Sequence, residues 1–221
     1  MRDKKFIIYL LLACGLCGCS NLKYLPKGAQ LYVGGDVTVK GDSLSHSEKK
    51  DMETTMEGLL RPKPNTTILG LRPKLWFYNI AGDVKKKKGF RHWLKTKLGE
   101  PPVLFSDVDM DYNANLLTGH AENRGYFNAE TTADSTSKNR KVTAEYTVTP
   151  HNQYLIKSVD FPADSSGITK AVSETAENTY LKPGDAYNLE EIKAERVRID
   201  AILKEEGYYY FNPDYLLIQV D

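Results

Sequence analysis

The residues with the clearest chemical potential are three cysteines, Cys14, Cys17 and Cys19, spread over six positions near the N-terminus with none after them. A disulfide framework or a zinc site built on cysteine needs further cysteines in the body of the chain, so both are excluded there. Acylation remains. Leu16-Cys17-Gly18-Cys19 resembles a lipobox, with an aliphatic residue, two small residues before a scissile bond, and a thiol to carry lipid. Arg2, Lys4 and Lys5 precede it, followed by an apolar run from Phe6 to Ala13 that continues weakly to Cys17. The run is shorter than the roughly 20 residues of a spanning helix and matches an export signal. Leu11-Leu12-Ala13-Cys14 is a rival lipobox with a very short apolar run before it, so Cys19 is the preferred lipid carrier. An uncleaved hydrophobic anchor is the alternative. The expectation is a lipoprotein signal peptide over 1–18, a covalent lipid on Cys19, and a chain held in a bacterial envelope.

No other set of residues assembles a reaction. His46, His92, His120 and His151 fall on separate elements without an i,i+4 carboxylate or histidine partner, so each is expected on the solvated surface and no metal is expected. Glu190/Glu191 and Glu205/Glu206 read as helix charges rather than a pair of catalytic carboxylates. Gly34-Gly35 reads as a turn, not a phosphate loop. The chain is therefore expected to be no enzyme and to bind no cofactor besides its lipid.

The charge distribution identifies one further patch. The formal net charge is +1, but residues 61–98 hold eleven Lys/Arg against Asp83 alone, while residues 99–221 hold eleven basic and twenty-one acidic residues. Phe90, Trp93, Leu94 and Leu98 recur at helical spacing among Lys85 to Lys88, Arg91, Lys95 and Lys97, and both tryptophans, Trp76 and Trp93, lie in this block. A basic amphipathic helix with tryptophan suits an anionic membrane surface. The candidate contact residues are Trp76, Phe90, Arg91, Trp93, Leu94, Lys95 and Leu98. The competing reading packs Trp76, Phe77 and Trp93 into the core and leaves the lysines solvated. Nucleic acid would suit the charge too, but an exported protein seldom meets it.

The elements that position these residues can be read from pattern. The length of 221 residues allows one or two domains, and 41% hydrophobic with 27% charged residues is ordinary globular composition. Ser45-His46-Ser47-Glu48 is a capping box opening a helix with Met52, Met56, Leu59 and Leu60 on one face, stopped by Pro62. A second helix is expected from Ser106 to Gly125, with Val108, Tyr112, Leu116 and Leu117 as its stripe. Tyr126 to Ala133 reads as extended, Ser135 to Arg140 as a turn, and Val142, Ala144, Tyr146 and Val148 alternate as a half-buried strand. Further on come a strand over Tyr154 to Phe161, a helix over 167–180, a long helix capped by Asn188 and ended by Gly207, and a strand through Leu216, Ile218 and Val220. Ile192, Ile199 and Leu203 form the stripe of the long helix.

Two stretches then superimpose. Asn123-Arg124-Gly125-Tyr126-Phe127 matches Glu205-Glu206-Gly207-Tyr208-Tyr209 at an offset of 207 − 125 = 82 residues, which puts Leu117 on Ile199 and Ala121 on Leu203. Each unit reads β-α-α-β-β, with Val37 to Lys40 and Tyr154 to Phe161 as the first strands. A glycine cap followed by aromatics is common by itself; order, offset and apolar register together indicate a repeat.

A β-α-α-β-β unit with a long second helix running into Gly-Tyr-aromatic resembles the POTRA domain, which precedes the membrane barrel of the BamA/TamA family. Tyr154-x-Ile156-x-x-Val159-x-Phe161 resembles its first strand, and Lys182-Pro183-Gly184-Asp185-Ala186-Tyr187-Asn188 the lead into its second helix. More narrowly, a lipoprotein N-terminus together with residues 70–82 (Gly-Leu-Arg-Pro-Lys-Leu-Trp-Phe-Tyr-Asn-Ile-Ala-Gly) and 98–103 (Leu-Gly-Glu-Pro-Pro-Val) resembles TamL, the lipidated branch found in Bacteroidota.

The resemblance implies an α+β fold of tandem POTRA-like units, each a three-stranded mixed sheet with two helices on one face. The expected division is a lipidated linker over 19–28, a first unit over 29–150 with a basic insert at 61–104, and a second over 151–221 lacking its third strand. Without that strand, Tyr154 to Phe161 and Leu216 to Val220 should leave backbone unpaired.

It further implies a translocation and assembly module in the outer membrane, facing the periplasm, that binds outer-membrane client proteins and a TamB-like partner by adding their extended segments to a sheet edge. The candidate edge residues are Tyr126, Phe127, Ala129 and Thr131, and Tyr208, Tyr209, Tyr215 and Leu217. Ser20-Asn21-Leu22-Lys23 carries no acidic run that would signal surface export. A lipid-tethered scaffold that handles no clients is the alternative.

Overall fold

In the computed structural model, residues 21–41, 44–84, 86, 88–162 and 166–220 are described. The signal peptide, Cys19, Lys85 and Lys87 lie outside them. The fold is α+β. Strand β1 (Leu31–Val39) is followed by α1 (His46–Leu59), α2 (Pro73–Ala81), α3 (Phe90–Trp93) and α4 (Met110–Glu122). The hairpin β2 (Glu130–Lys138) and β3 (Lys141–Thr149) comes next, then α5 (Gly167–Glu174) and α6 (Leu189–Glu205).

The three strands form one sheet of order β1-β3-β2. Leu31 N donates to Arg140 O at 2.8 Å and Lys40 N to Val148 O at 2.8 Å, so β1 runs parallel to β3, while the hairpin is antiparallel and the sheet is mixed. Val142, Ala144, Tyr146 and Val148 on the central strand are all buried and Lys141 and Glu145 exposed, the alternation that the sequence carries.

Two features of the sheet differ from expectation. The hairpin turn is only Asn139–Arg140, both at positive φ (51° and 60°), and β2 runs on to Lys138 instead of ending before a six-residue loop. Two left-handed central residues match the right-handed strand twist, and this lets polar Ser135 to Lys138 stay in the ladder. Gly34-Gly35 lies inside β1, not in a turn. The strand reaches back to Leu31 because Val103 to Phe105 pairs with it antiparallel: Tyr32 N donates to Val103 O at 2.9 Å and Phe105 N to Gln30 O at 2.9 Å.

The chain divides into two compact units. One holds residues 1–36, 61–109 and 134–144; the other holds 37–60, 110–133 and 145–221.

In the first unit, the segment from Asn65 to Val103 is closed at its neck by one buried side chain. Asn65 donates from Nδ2 to Pro101 O at 2.7 Å and accepts from Val103 N at 3.0 Å, and Glu100 accepts from Thr66 N at 3.1 Å. A small apolar cluster of Leu25, Leu31 and Leu75, with Leu22, Val33 and Leu104 against it, ties the 3₁₀ turn Asn21–Tyr24 to α2. Arg140 completes the attachment, donating to the carbonyls of Leu22, Pro26 and Ala29 at 2.7–3.2 Å.

In the second unit, α1 starts at the expected capping box. Ser45 Oγ accepts from Glu48 N, and Glu48 accepts from Ser45 N at 2.8 Å. These bonds hold the Glu48 carboxyl below the usual carboxylate range. α1 packs on α4. The stripe of α4 is Asn113, Leu117 and Ala121, whereas Tyr112 is exposed. The expected helix start at Ser106 is a separate 3₁₀ turn, Phe105–Asp107, which shifts the face α4 presents. Asn113 is buried and donates from Nδ2 to Tyr146 OH at 3.1 Å.

The 82-residue repeat is visible in the backbone. Tyr126 N bonds Ala121 O at 3.1 Å and Ala129 N bonds Tyr126 O at 2.9 Å; Tyr208 N bonds Leu203 O and Phe211 N bonds Tyr208 O, each at 2.9 Å. Both are glycine-centred helix ends of the same kind, with Gly125 at φ 86° and Gly207 at φ 99°. Leu117, Ala121, Ile199 and Leu203 are all buried. The second repeat nonetheless forms no ladder strand among the described residues. The segment from Tyr154 to Phe161 makes one isolated bridge, Leu155 to Ala186, with flanking backbone bonds from Tyr154 and Ile156, and Leu216 to Val220 joins no ladder. Among the described residues the second repeat has no counterpart of β3.

Candidate functional site

Strand β2 ends the sheet, and eight of its nine residues are exposed, the exception being half-buried Thr131. Its sequence, Glu-Thr-Thr-Ala-Asp-Ser-Thr-Ser-Lys, has no large apolar side chain. What it presents outward is backbone.

Of the four candidates expected on this edge, only Thr131 lies on the strand, where it accepts a hydrogen bond from Thr118 Oγ1 at 2.9 Å. Tyr126, Phe127 and Ala129 precede it. The reason is local: the glycine-centred end of α4 spends the Tyr126 and Ala129 amides on a turn, so the extended stretch starts at Glu130 rather than Tyr126. Tyr126 and Ala129 are buried, and burial raises the Tyr126 phenol pKa above its ordinary value. The Phe127 ring packs against Tyr154 and Tyr187, with centroids 5.3 and 4.8 Å away.

In the second repeat, Tyr208 packs on the cluster of Ala171, Val172, Ile199, Leu203 and Phe211. Tyr209 and Leu217 are exposed, and Tyr215 is exposed in the 3₁₀ turn Pro213–Tyr215, edge-on to Phe211 at 5.8 Å. The long expected strand from Tyr208 is broken by this turn, because Asn212 caps it through Asp214 N at 2.9 Å and Pro213 opens it.

Between Leu155–Phe161 on one side and Leu216–Val220 on the other lies an open cleft of about 1160 Å³, floored by Val172, Ile199 and Phe211. Along the same lining, α6 carries a buried charge whose partners are not all legible from its neighbours in sequence. Glu195 is 1% exposed and is held by Arg198 at 2.6 Å and by Tyr180 N at 3.1 Å. Burial pushes the Glu195 carboxyl up, but the bonds from Arg198, Tyr180 and Thr179 outweigh it and leave it below the usual range. Arg198 also donates to Thr175 O at 3.0 Å.

The basic insert forms a second candidate surface. The expected continuous helix over 90–98 is α3 followed by a π-helical turn, Leu94–Leu98, in which Gly99 N bonds Leu94 O at 2.8 Å. The wider turn moves Leu98 off the α-helical stripe. A Cβ on Gly99 would sit 2.6 Å from Lys95 O and 2.9 Å from Tyr78 Cα, so only glycine lets this turn close on α2. Phe90 and Trp93 stack on each other at 5.9 Å, and both are exposed, as are Trp76, Arg91 and Leu98. Leu94 is half-buried. Lys95 is turned inward, its Nζ 2.9 Å from Gly82 O and over the Tyr78 ring, which removes it from the set of outward cations.

Among the described residues no group of three His, Cys, Asp or Glu side chains could hold a metal ion. His120 is half-buried, and burial together with the charge of Arg124 lowers its pKa.

The sequence matches no protein-family model and no curated protein. Among the solved structures similar to the chain is POTRA1-2 of the periplasmic domain of Omp85 from Anabaena, 14% identical over 81% of this chain and 83% of that one, with a TM-score of 0.32. Another is BamA POTRA3-5 of Haemophilus influenzae, 12% identical over 83% and 89%, with a TM-score of 0.28.

Proposed function

We propose that this chain is a POTRA-bearing region of a BamA/TamA-type outer-membrane assembly or translocation factor, of the lipidated TamL kind. It is anchored by a lipid on Cys19, faces the periplasm, and holds extended segments of client chains by β-strand addition, with a TamB-like protein as a docking partner. The observation that carries this reading is the edge strand β2, nine residues long, exposed, and lacking large apolar side chains. Pairing there depends on main-chain hydrogen bonds, which take many client sequences with little discrimination. The cleft beside Leu155–Phe161 offers the same chemistry with apolar flooring added.

The test places a photo-crosslinker at Asp134 in β2 and measures adducts with an unfolded outer-membrane protein. Thr132→Pro and Ala133→Pro are compared, because adjacent residues point their N–H groups to opposite edges and one of the two must face outward. That variant should lose most of its adducts while keeping its circular dichroism. Unchanged adducts in both folded variants would contradict strand addition.

A further inference from the structure

The basic insert has an exposed apolar surface that client binding does not use. At its tip, Ile68 and Leu71 exchange two backbone hydrogen bonds, 2.8 and 3.0 Å, around a two-residue turn of Leu69 and Gly70. Leu69 sits at φ 49° and is 97% exposed. A leucine in the left-handed region, with its side chain wholly in water, is unfavourable twice over. Behind the tip, Trp76 and Ile80 are exposed one helical turn apart on α2, and Phe90 and Trp93 are exposed on α3. Among the described residues of this unit, every exposed large apolar side chain except Tyr24 lies between Ile68 and Leu98. Lys74, Lys86, Lys88, Arg91 and Lys97 are exposed in the same stretch.

A second observation ties this surface to the segment that follows Cys19. Asn79 on α2 donates to Asn21 Oδ1 at 3.2 Å, and Leu22 and Leu25 pack against Leu75 on the same helix. Asn21 is two residues after Cys19, a reach of at most about 7 Å in any conformation. A lipid on Cys19 therefore brings α2 to the bilayer surface.

We infer that the insert docks on an anionic lipid bilayer surface, with Leu69 and its neighbours and the aromatic rings of Trp76, Phe90 and Trp93 entering the interface and the lysines and Arg91 facing lipid phosphates. The inference rests on the lipid-anchor reading for its geometry; the apolar and cationic composition stands without it. Such surfaces combine buried apolar area with attraction to anionic headgroups, and tryptophan prefers the interfacial depth.

Trp76 and Trp93 are the only tryptophans of the chain, so their fluorescence reads this surface without a label. The full chain is reconstituted into phosphatidylethanolamine vesicles with and without phosphatidylglycerol, the acyl chains brominated. Quenching and a blue shift are expected, stronger in the anionic vesicles. The combined change Lys86→Glu, Lys88→Glu, Arg91→Glu should weaken the anionic preference by about tenfold or more. Leu69→Ser, at a fully exposed position, should reduce quenching without altering circular dichroism.

Emission that stays unquenched in the anchored chain overturns the proposal, and so does protection that appears only with a protein partner. Radiolabelled fatty acid on the wild type, lost in Cys19→Ser, tests the anchor separately. Label without quenching sinks the docking surface alone; quenching without label sinks the anchor and supports the surface.

Discussion

The Gly125 carbonyl accepts a hydrogen bond from the Tyr154 amide at 2.8 Å. Its two predecessors are engaged in the same way: Arg124 O by Gln153 Nε2 at 2.9 Å and Asn123 O by Leu189 N at 2.8 Å. The C-terminal end of a helix leaves carbonyls without partners. Here the second repeat supplies three donors to the end of the first, two from its beginning and one from the start of α6, and Phe127 closes over Tyr154 and Tyr187. The equivalent glycine, Gly207, has nothing within 4 Å of where a Cβ would sit.

That contrast gives a paired prediction. A Cβ on Gly125 would lie 3.1 Å from Tyr154 O, Tyr187 O and Tyr187 Cβ, at φ 86°. Gly125→Ala should cost about 3 kcal/mol, from left-handed strain plus a clash against backbone. Gly207→Ala carries the strain alone and should cost about 1–2 kcal/mol. Thermal melts of the two variants should therefore differ; equal losses would mean that the Gly125 joint is loosely packed.

Glu195 and Arg198 should behave as a buried pair. Glu195→Ala leaves the Arg198 guanidinium without its main partner and should destabilise by about 3–5 kcal/mol. Replacing both, Glu195→Leu with Arg198→Met, should recover much of that loss. The Glu195 carboxyl is held below its ordinary pKa, so its contribution is complete above that ordinary value and disappears as pH falls through the lowered one. Chemical denaturation of wild type and the double variant, compared on descending into the acid range, checks the sign.

His120 should give the chain a second and milder acid sensitivity. Its Nε2 is buried without a hydrogen-bond partner, and its pKa is lowered, so the folded state favours the neutral ring. The neutral ring's advantage is complete above about pH 6.5, the ordinary histidine value, and is lost as pH drops below it. The melting temperature of His120→Leu should therefore gain on the wild type between neutrality and mild acid. A constant difference would rule the histidine out as the cause.

Hydrogen exchange should separate the two repeats. Val142 to Thr149 is the central strand, bonded on both sides, whereas 157–161 and 217–220 enter no ladder among the described residues. Amides of those two segments should exchange orders of magnitude faster than those of β3. Comparable protection would show that the cleft is closed in solution.

What could be read from the sequence is what short-range physics decides. The capping box of Ser45 and Glu48, the alternation along β3 and the glycine-centred helix ends all involve neighbours within about five residues, and each is present. What could not be read depends on distant partners. β1 extends back through Gly34-Gly35 to Leu31, where the hairpin at Arg140 and the returning segment Val103 to Phe105 both pair with it. Asn65 looks like a loop residue until Pro101 and Val103 arrive, and Asn113 looks like a helix surface until Tyr146 does. Glu195 could have been suspected, since it falls on the stripe of Ile192, Ile199 and Leu203 with an arginine three residues on.

Arg140 carries a mechanical consequence. Its guanidinium holds three carbonyls of the segment just after residue 21, while its own carbonyl accepts from Leu31 at the start of β1. If a membrane tether pulls on this end of the chain, the first bonds to feel tension are those of one side chain seated in a tight hairpin, loaded together rather than in succession. Force would have to strip that arginine before it could peel β1 from the sheet. Under such a load the two-residue turn would act as a strain relief, and Arg140→Ala should lower the force at which the chain first yields in single-molecule pulling from its N-terminus.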